Sequence, residues 1–109
     1  MNPGWSIEYV NALAKAEVDN LPLDLRASFE RIVGLIRSQG LERMREPYVK
    51  HLGDKLWEMR LKGKNGIARS LYLTAAGRRI VVLRTFEKKS QKTPPREIRL
   101  ALQRARELK

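Results

Sequence analysis

The chain has 109 residues, of which 42% are apolar and 32% are charged, and a formal net charge of +11 at pH 7. This length supports one domain, residues 1–109, with a single hydrophobic core. Without cysteine the chain cannot form disulfides or cysteine-based zinc sites, and one histidine cannot build a histidine-rich metal site. No apolar stretch is long enough for a membrane span, and the N-terminus lacks a secretion-signal pattern, so we expect a cytoplasmic protein. We also expect it to work without a metal or cofactor.

The positive charge is concentrated in the second part of the chain. Residues 1–47 contain 6 Lys and Arg against 7 Asp and Glu, whereas residues 48–109 contain 17 against 5. Each phosphate that such cations neutralise adds a salt-dependent increment to binding. The asymmetry therefore predicts a polyanion-binding face, with RNA or DNA as the partner, built from the second part of the chain.

The first 40 residues predict one short strand followed by two helices. Residues 5–10 alternate apolar and polar side chains, which is typical of a strand with one buried face. The apolar spacing then becomes helical in two segments on either side of Pro22, and the second segment ends near Gly40. We expect these segments to form two antiparallel helices.

Three strands and a last helix are predicted in the second part. Residues 56–62, 67–74 and 79–86 have strand patterns and are joined by short turns at residues 63–66 and 76–77. Thr93 is the predicted cap of the final helix, with Pro94 at its first position. The predicted fold is α+β in the order β-α-α-β-β-β-α. It has a mainly antiparallel four-stranded sheet, with two N-terminal helices packed on it and a C-terminal helix.

Three arginines on the predicted strands are candidates for phosphate binding. Arg69 interrupts the apolar face of its own strand. It either lies near the strand end, where the face opens to water, or pairs with a carboxylate such as Glu58, or binds a phosphate in a cleft. Arg60 lies with Glu58 on the polar side of its strand. A surface ion pair between them is therefore an equal alternative to a role in phosphate binding. The alternation places Arg84 on one face with Val82 and Phe86, close to the most basic segment.

Several lysines lie after the last predicted strand and in the earlier hairpin around residues 63–66. These lysines would frame a path for phosphates across adjacent strand ends, and they are Lys62, Lys64, Lys88, Lys89 and Lys92. Phe86 could stack on an unpaired base, although an aromatic residue at the end of a buried strand is usually part of the core. His51, the only histidine, has the pattern of a surface or capping residue.

Three segments together resemble a known family. They are Leu56-Trp57-Glu58-Met59-Arg60, then Ile67-Ala68-Arg69 with Tyr72, and the apolar run 80–83 followed by Phe86-Glu87-Lys88-Lys89-Ser90-Gln91-Lys92-Thr93-Pro94. This pattern is similar to the HigB-like, phage-derived branch of the RelE/ParE toxin superfamily of type II toxin–antitoxin systems. The resemblance covers residues 5–108 in element order, and the segment after the last strand is its most specific part.

The resemblance implies a toxin that inhibits translation as an mRNA interferase. Such proteins cut messenger RNA in the A site of the 70S ribosome, and they are inhibited by an antitoxin that in this branch is often a helix-turn-helix protein. Arg69 matches the arginine that contacts the scissile phosphate, and Arg60 matches the arginine of the preceding strand. Lys88, Lys89 and Lys92 match the basic residues that follow the last strand.

The expected reaction is metal-independent attack of a ribose 2′-OH on the adjacent phosphodiester, giving a 2′,3′-cyclic phosphate and a 5′-OH end. We assign catalysis to Arg69, Arg84, Lys88 and Lys89, and RNA binding to Arg60, Lys62, Lys64, Phe86 and Lys92. The proton-transfer group stays open between a lysine with a lowered pKa and a ribosome that positions the message without a strong base. Two alternatives use the same basic face: a non-catalytic RNA- or ribosome-binding module, and a ParE-like poison of DNA gyrase.

Overall fold

A computed structural model describes residues 4–64, 66–89 and 92–108. Within them the chain forms three α-helices, a short 3-10 turn at Leu41–Arg43 and five strands. The strands are β1 (Ser6–Tyr9), β2 (Val49–Gly53), β3 (Leu56–Lys62), β4 (Ile67–Ala75) and β5 (Arg79–Lys88). The helices are α1 (Ala12–Asp19), α2 (Leu23–Gln39) and α3 (Pro95–Ala105).

The five strands form one mixed sheet in the order β1-β5-β4-β3-β2. β1 runs parallel to β5, and the other neighbours are antiparallel. The α+β class is confirmed, but the predicted four-stranded sheet is wrong because β2 was missed. β2 is a short edge strand in which only Val49 is buried, and its register shifts between His51 and Gly53, so it has no alternating pattern to detect.

α1 and α2 precede the edge strand β2 and provide one side of the core. The Asn11 side chain caps α1 by accepting a hydrogen bond from the Ala14 N–H at 2.8 Å. The buried residues of α2 include Phe29, Ile32 and Ile36, and they belong to the same core cluster as Met59 and Tyr72 of the sheet. Burial of this apolar stripe is the main stabilising contribution of α2.

α3 packs on the other side of the sheet. Its buried Ala101 lies in a second core cluster with Leu71, Leu83 and Phe86. The predicted Thr93 cap is wrong: Pro94 holds the cap position and Pro95 begins the helix, and no side chain caps α3. Thr93 instead donates a hydrogen bond to Glu58, because that carboxylate lies directly beside the start of α3.

A β-bulge in β5 changes which residues share a face. Leu71 pairs with Arg84 and Tyr72 pairs with Val82, so Leu83 is an extra residue on β5. The predicted common face of Val82 and Arg84 is therefore wrong. Val82 faces the α2 side of the core, whereas Arg84 points to the α3 side. One inserted residue reverses the alternation, which periodicity cannot show.

Two predicted features are only partly described. The hairpin turn at 63–66 includes Asn65, and the basic segment after β5 includes Ser90 and Gln91; these three residues lie outside the described part of the chain. Across the residues that are described, none of the helices is long and apolar enough to cross a membrane.

Tyr72 offers a test of the core. Its side chain is 0% exposed, and its hydroxyl has no hydrogen-bond partner among the described residues. Burying such a group costs about 1 kcal/mol or more. We predict that Tyr72→Phe raises the free energy of unfolding by about 1 kcal/mol in urea denaturation. Tyr48→Phe, on an exposed ring, is the control and should change nothing. Destabilisation by Tyr72→Phe would show that the hydroxyl is satisfied.

Candidate functional site

Arg69 lies at the middle of the sheet, opposite Arg60 of β3 on one side and Phe86 of β5 on the other. Cross-strand pairing puts these side chains on one face, which is also the face covered by α3. The Arg69 side chain is 4% exposed, whereas that of Arg60 is 24% exposed. The sequence prediction that Arg69 shares the apolar face of its strand is confirmed.

Glu58 is the carboxylate that holds these arginines. It is 1% exposed, and its Oε2 lies 3.2 Å from Arg60 Nε and 3.6 Å from Arg69 Nε. Its Oε1 accepts the Thr93 hydroxyl at 2.6 Å. The sequence analysis named Glu58 as a possible partner of Arg69, which is confirmed, but expected it on a half-exposed face. Both faces are buried at this point because Glu58 lies under the segment that leads into α3.

Arg69 is only partly satisfied by these contacts. Its Nη1 donates to the Ala68 carbonyl at 3.0 Å, and its Nε is buried without a hydrogen-bond partner among the described residues. Burial lowers the pKa of Arg69 below its ordinary value, against the opposing effect of Glu58. The guanidinium is nevertheless charged at any physiological pH. A desolvated cation of this kind gains much from an anion placed beside it.

Lys88 completes the group that we call the Arg69 cluster: Glu58, Arg60, Arg69 and Lys88. Lys88 is 8% exposed at the end of β5. Burial, followed by repulsion from Arg69, lowers the pKa of Lys88 below its ordinary value. The exposed Glu46 adds a second carboxylate 3.4 Å from Arg60 Nη1. Within the described part of the chain, the cluster combines three cations with one buried carboxylate, which makes the local potential positive.

A cavity of about 210 Å³ opens beside the cluster. Four cations line it, and they are Arg31, Arg60, Lys62 and Arg69. The other lining residues are Ser28, Pro47, Tyr48 and Ile67. The cavity lies at the C-terminal end of β3, beyond the first residue of β2, where the Ser28 hydroxyl of α2 accepts the Lys62 N–H at 3.2 Å. Sequence analysis did not single out Tyr48 or Arg31, because neither lies in a predicted strand with the arginines.

The remaining predicted site residues lie elsewhere. Lys62, Lys64, Lys89 and Lys92 are exposed, and only Lys62 among them lines the cavity. Phe86 is 7% exposed and packs in the core under α3. His51 stacks on Trp57 with ring centroids 4.5 Å apart, and its Nε2 lies 2.7 Å from the Asp54 carbonyl oxygen. His51 is thus exposed on the edge strand, as its pattern indicated.

Arg84 belongs to a separate ion-pair network between the helices. Its Nη1 lies 2.7 Å from Glu17 of α1, and its Nε lies 2.7 Å from Glu97 of α3. Arg104 Nη2 contacts Glu17 at 2.8 Å, and its Nη1 donates to the Leu83 carbonyl at 2.9 Å. This network joins α1, β5 and α3. The structure therefore does not bring Arg84 into the Arg69 cluster, a separation that strand alternation alone does not reveal.

The fold and the cluster define a small α+β protein with a basic, partly buried group of side chains on neighbouring strands of its sheet. Residues 16–106 match the family model described as Phage derived protein Gp49-like (DUF891). The match spans most of the chain, so the protein belongs to this Gp49-like family, and the membership suggests a toxin-like function. A search of curated proteins found no match.

Glu17 allows the structural network to be tested. Burial alone would raise the pKa of Glu17, but hydrogen bonds from Arg104, the Thr85 N–H and Arg84 outweigh it and lower that pKa. Because charge-assisted hydrogen bonds contribute about 1.5–3 kcal/mol each, we predict that Glu17→Gln lowers the free energy of unfolding at pH 7 by about 2 kcal/mol. Urea denaturation measures the change, with the exposed Glu87→Gln as the control.

The same network predicts a pH dependence. With its pKa lower in the folded state, Glu17 binds protons more readily in the unfolded state. Its stabilising contribution is therefore complete near neutral pH and is lost as the pH falls through the ordinary glutamate range to the lowered pKa. The difference between wild type and Glu17→Gln should shrink over this acidic range. A difference that stays constant would contradict the assigned ionic role of Glu17.

Proposed function

We propose that this protein is the toxin of a type II toxin–antitoxin system, and that it inhibits translation as a metal-independent, ribosome-dependent mRNA endoribonuclease. The observation that carries the proposal is the Arg69 cluster: a nearly buried arginine beside a second arginine and a buried lysine, at the margin of a cationic cavity. The Gp49-like family membership supports the toxin class. The HigB-like pattern of the strands supports the more specific activity.

The chemistry assigned to Arg69 is stabilisation of charge in the transition state. When a ribose 2′-OH attacks the adjacent phosphodiester, negative charge accumulates on the phosphorane oxygens. Arg69 and Arg60 provide guanidinium donors from two directly paired strand positions, and Glu58 holds both in place. A preorganised donor in a desolvated site contributes about 2.7–4 kcal/mol to such a transition state.

Lys88 is our candidate for proton transfer. Its lowered pKa makes the neutral amine more accessible than in a solvated lysine, and a neutral amine can accept the 2′-OH proton. Lys89 is exposed, so its environment does not favour the neutral form in this way. We therefore place Lys89 with Lys62, Lys64 and Lys92 among the residues that attract and guide the RNA backbone.

Arg84 has a structural role in this proposal, in contrast to the catalytic role predicted from the sequence. Its guanidinium is engaged by two carboxylates from α1 and α3. A phosphate would have to displace both, and such displacement would leave charges unpaired in a partly buried network. We also leave Phe86 out of RNA binding because its ring is part of the core.

The proposed partners follow from the charge and the reaction. The substrate is messenger RNA in the A site of the 70S ribosome, which places the toxin in the cytoplasm. The ribosome positions the message, so free RNA should be cut slowly. The antitoxin, a helix-turn-helix protein in the branch that the sequence resembles, would neutralise the basic cluster with acidic side chains. A net charge of +11 accelerates association with such a partner.

Arg69→Ala tests the proposed function most directly. We predict a loss of cleavage of about 10²–10³-fold, because one preorganised donor to the phosphorane is removed. Primer extension on a defined message in a reconstituted translation system would measure the new 5′ ends. The matched control is Arg37→Ala, which removes one exposed positive charge near the far end of α2 and should cut normally. Thermal unfolding of both variants would establish that they are folded.

The outcomes separate the competing functions. New 5′ ends that require both Arg69 and ribosomes support the proposal. Blocked translation of an intact message would identify a binding module without nuclease activity. Normal translation together with relaxed plasmid DNA in expressing cells would point to gyrase. Cleavage of naked RNA as fast as ribosome-bound message would contradict the ribosome dependence.

The proposed proton transfer to Lys88 makes cleavage depend on pH. If neutral Lys88 accepts the proton, the single-turnover rate should rise with pH until the lowered pKa of Lys88 is passed, and then level off. Lys88→Arg keeps the charge but cannot deprotonate, so it should slow cleavage by about 10²-fold or more and flatten the profile. Lys89→Arg is the matched control. A Lys88→Arg profile identical to wild type would remove Lys88 from proton transfer.

A further inference from the structure

The cavity beside the Arg69 cluster is lined by apolar and aromatic side chains as well as by cations. Its cations suit a phosphate, but part of its wall consists of Pro47, Tyr48 and Ile67. Tyr48 is 41% exposed, one of the few large hydrophobic side chains of the described chain that remain open to solvent. An exposed aromatic ring in a cationic cavity is the combination that binds single-stranded nucleic acids, in which a base stacks while its backbone is neutralised.

The backbone ties Tyr48 to the phosphate-binding arginines. The Tyr48 carbonyl oxygen accepts the Arg60 N–H at 2.8 Å, and Arg60 is directly paired with Arg69 across β3 and β4. Tyr48, Arg60 and Arg69 therefore lie in one row across three neighbouring segments of the sheet. All three residues line the same cavity.

We propose that this cavity is a nucleobase subsite, in which the base next to the phosphate held by Arg60 and Arg69 stacks on the ring of Tyr48. The inference rests on the proposed RNA-cleaving function and adds to it the residue that receives a base. The ligand class is an unpaired nucleotide of single-stranded RNA. A paired base presents only its edges, whereas an unstacked base exposes the face that an aromatic ring binds.

Stacking on Tyr48 would have two consequences for the reaction. It would hold the nucleotide in position beside Arg69, because the base and the phosphate of one strand would be bound at neighbouring points. It would also tolerate different bases, since every base has a face that can stack. Tyr48 is thus a binding residue for the RNA, separate from the residues that act on the scissile phosphate.

The test compares an intact oligonucleotide with the same backbone lacking bases. Both probes carry 2′-O-methyl groups, which block the attacking hydroxyl, and their affinities for wild type, Tyr48→Ala and Tyr48→Phe are measured at low salt. We expect Tyr48→Ala to weaken binding of the intact probe about tenfold and to leave the abasic probe unchanged. Tyr48→Phe keeps the ring and should bind both probes like wild type. Arg69→Ala should weaken binding of both probes.

Each outcome decides the inference. Tyr48→Leu, which keeps apolar volume without an aromatic face, replaces Tyr48→Ala if thermal unfolding shows that the alanine variant is misfolded. If Tyr48→Ala weakens binding of both probes equally, or of neither, the base subsite is overturned. Cleavage of ribosome-bound message in the translation assay would then show that the proposed function survives. If wild type neither binds the intact probe nor cuts ribosome-bound message, the proposed function fails and the inference fails with it.

Discussion

The buried carboxylate of Glu58 is the interaction on which the functional part of the structure depends. Register places Arg60 and Arg69 directly opposite each other on neighbouring strands, an arrangement of like charges that by itself destabilises a sheet. Glu58 lies within 3.6 Å of both guanidinium groups and offsets this repulsion. Its second oxygen binds Thr93, so the same carboxylate also positions the chain that enters α3. Glu58 therefore couples Arg60 and Arg69 to the packing of the last helix.

Arg84 on one side and Arg60 with Arg69 on the other differ in how many buried or partly buried carboxylates balance their charges. Arg84 meets Glu17 and Glu97, so its charge is used to join two helices to β5. Arg60 and Arg69 share the one carboxylate Glu58, and among the described residues the exposed Glu46 adds a contact to Arg60. Since buried charges are stable only when paired, the under-neutralised group is the one that an incoming anion would stabilise. This difference separates a structural arginine from a candidate catalytic one.

Sequence analysis succeeded for the elements that have strong periodicity. The two central strands β3 and β4 and the amphipathic helix α2 were predicted close to their observed bounds, because each has a continuous apolar pattern. It failed for β2, whose residues are mostly exposed at an edge, and at the bulge of β5, where one extra residue moves Arg84 to the other face from Val82. The predicted role of Thr93 as a helix cap was wrong because its actual partner, Glu58, lies 35 positions away in the chain and local sequence does not indicate it.

By itself the sequence determined the α+β class, the basic second half of the chain and the exceptional position of Arg69, since these properties depend on composition and local periodicity. Only the tertiary structure decided which arginine is neutralised, where Thr93 binds and that Tyr48 opens into the cavity beside Arg69. Those decisions depend on contacts between distant residues: Thr93 and Glu58 are 35 positions apart, and Arg104 and Glu17 are 87 apart. Strand register, the bulge and helix packing create these contacts, and no local pattern encodes them.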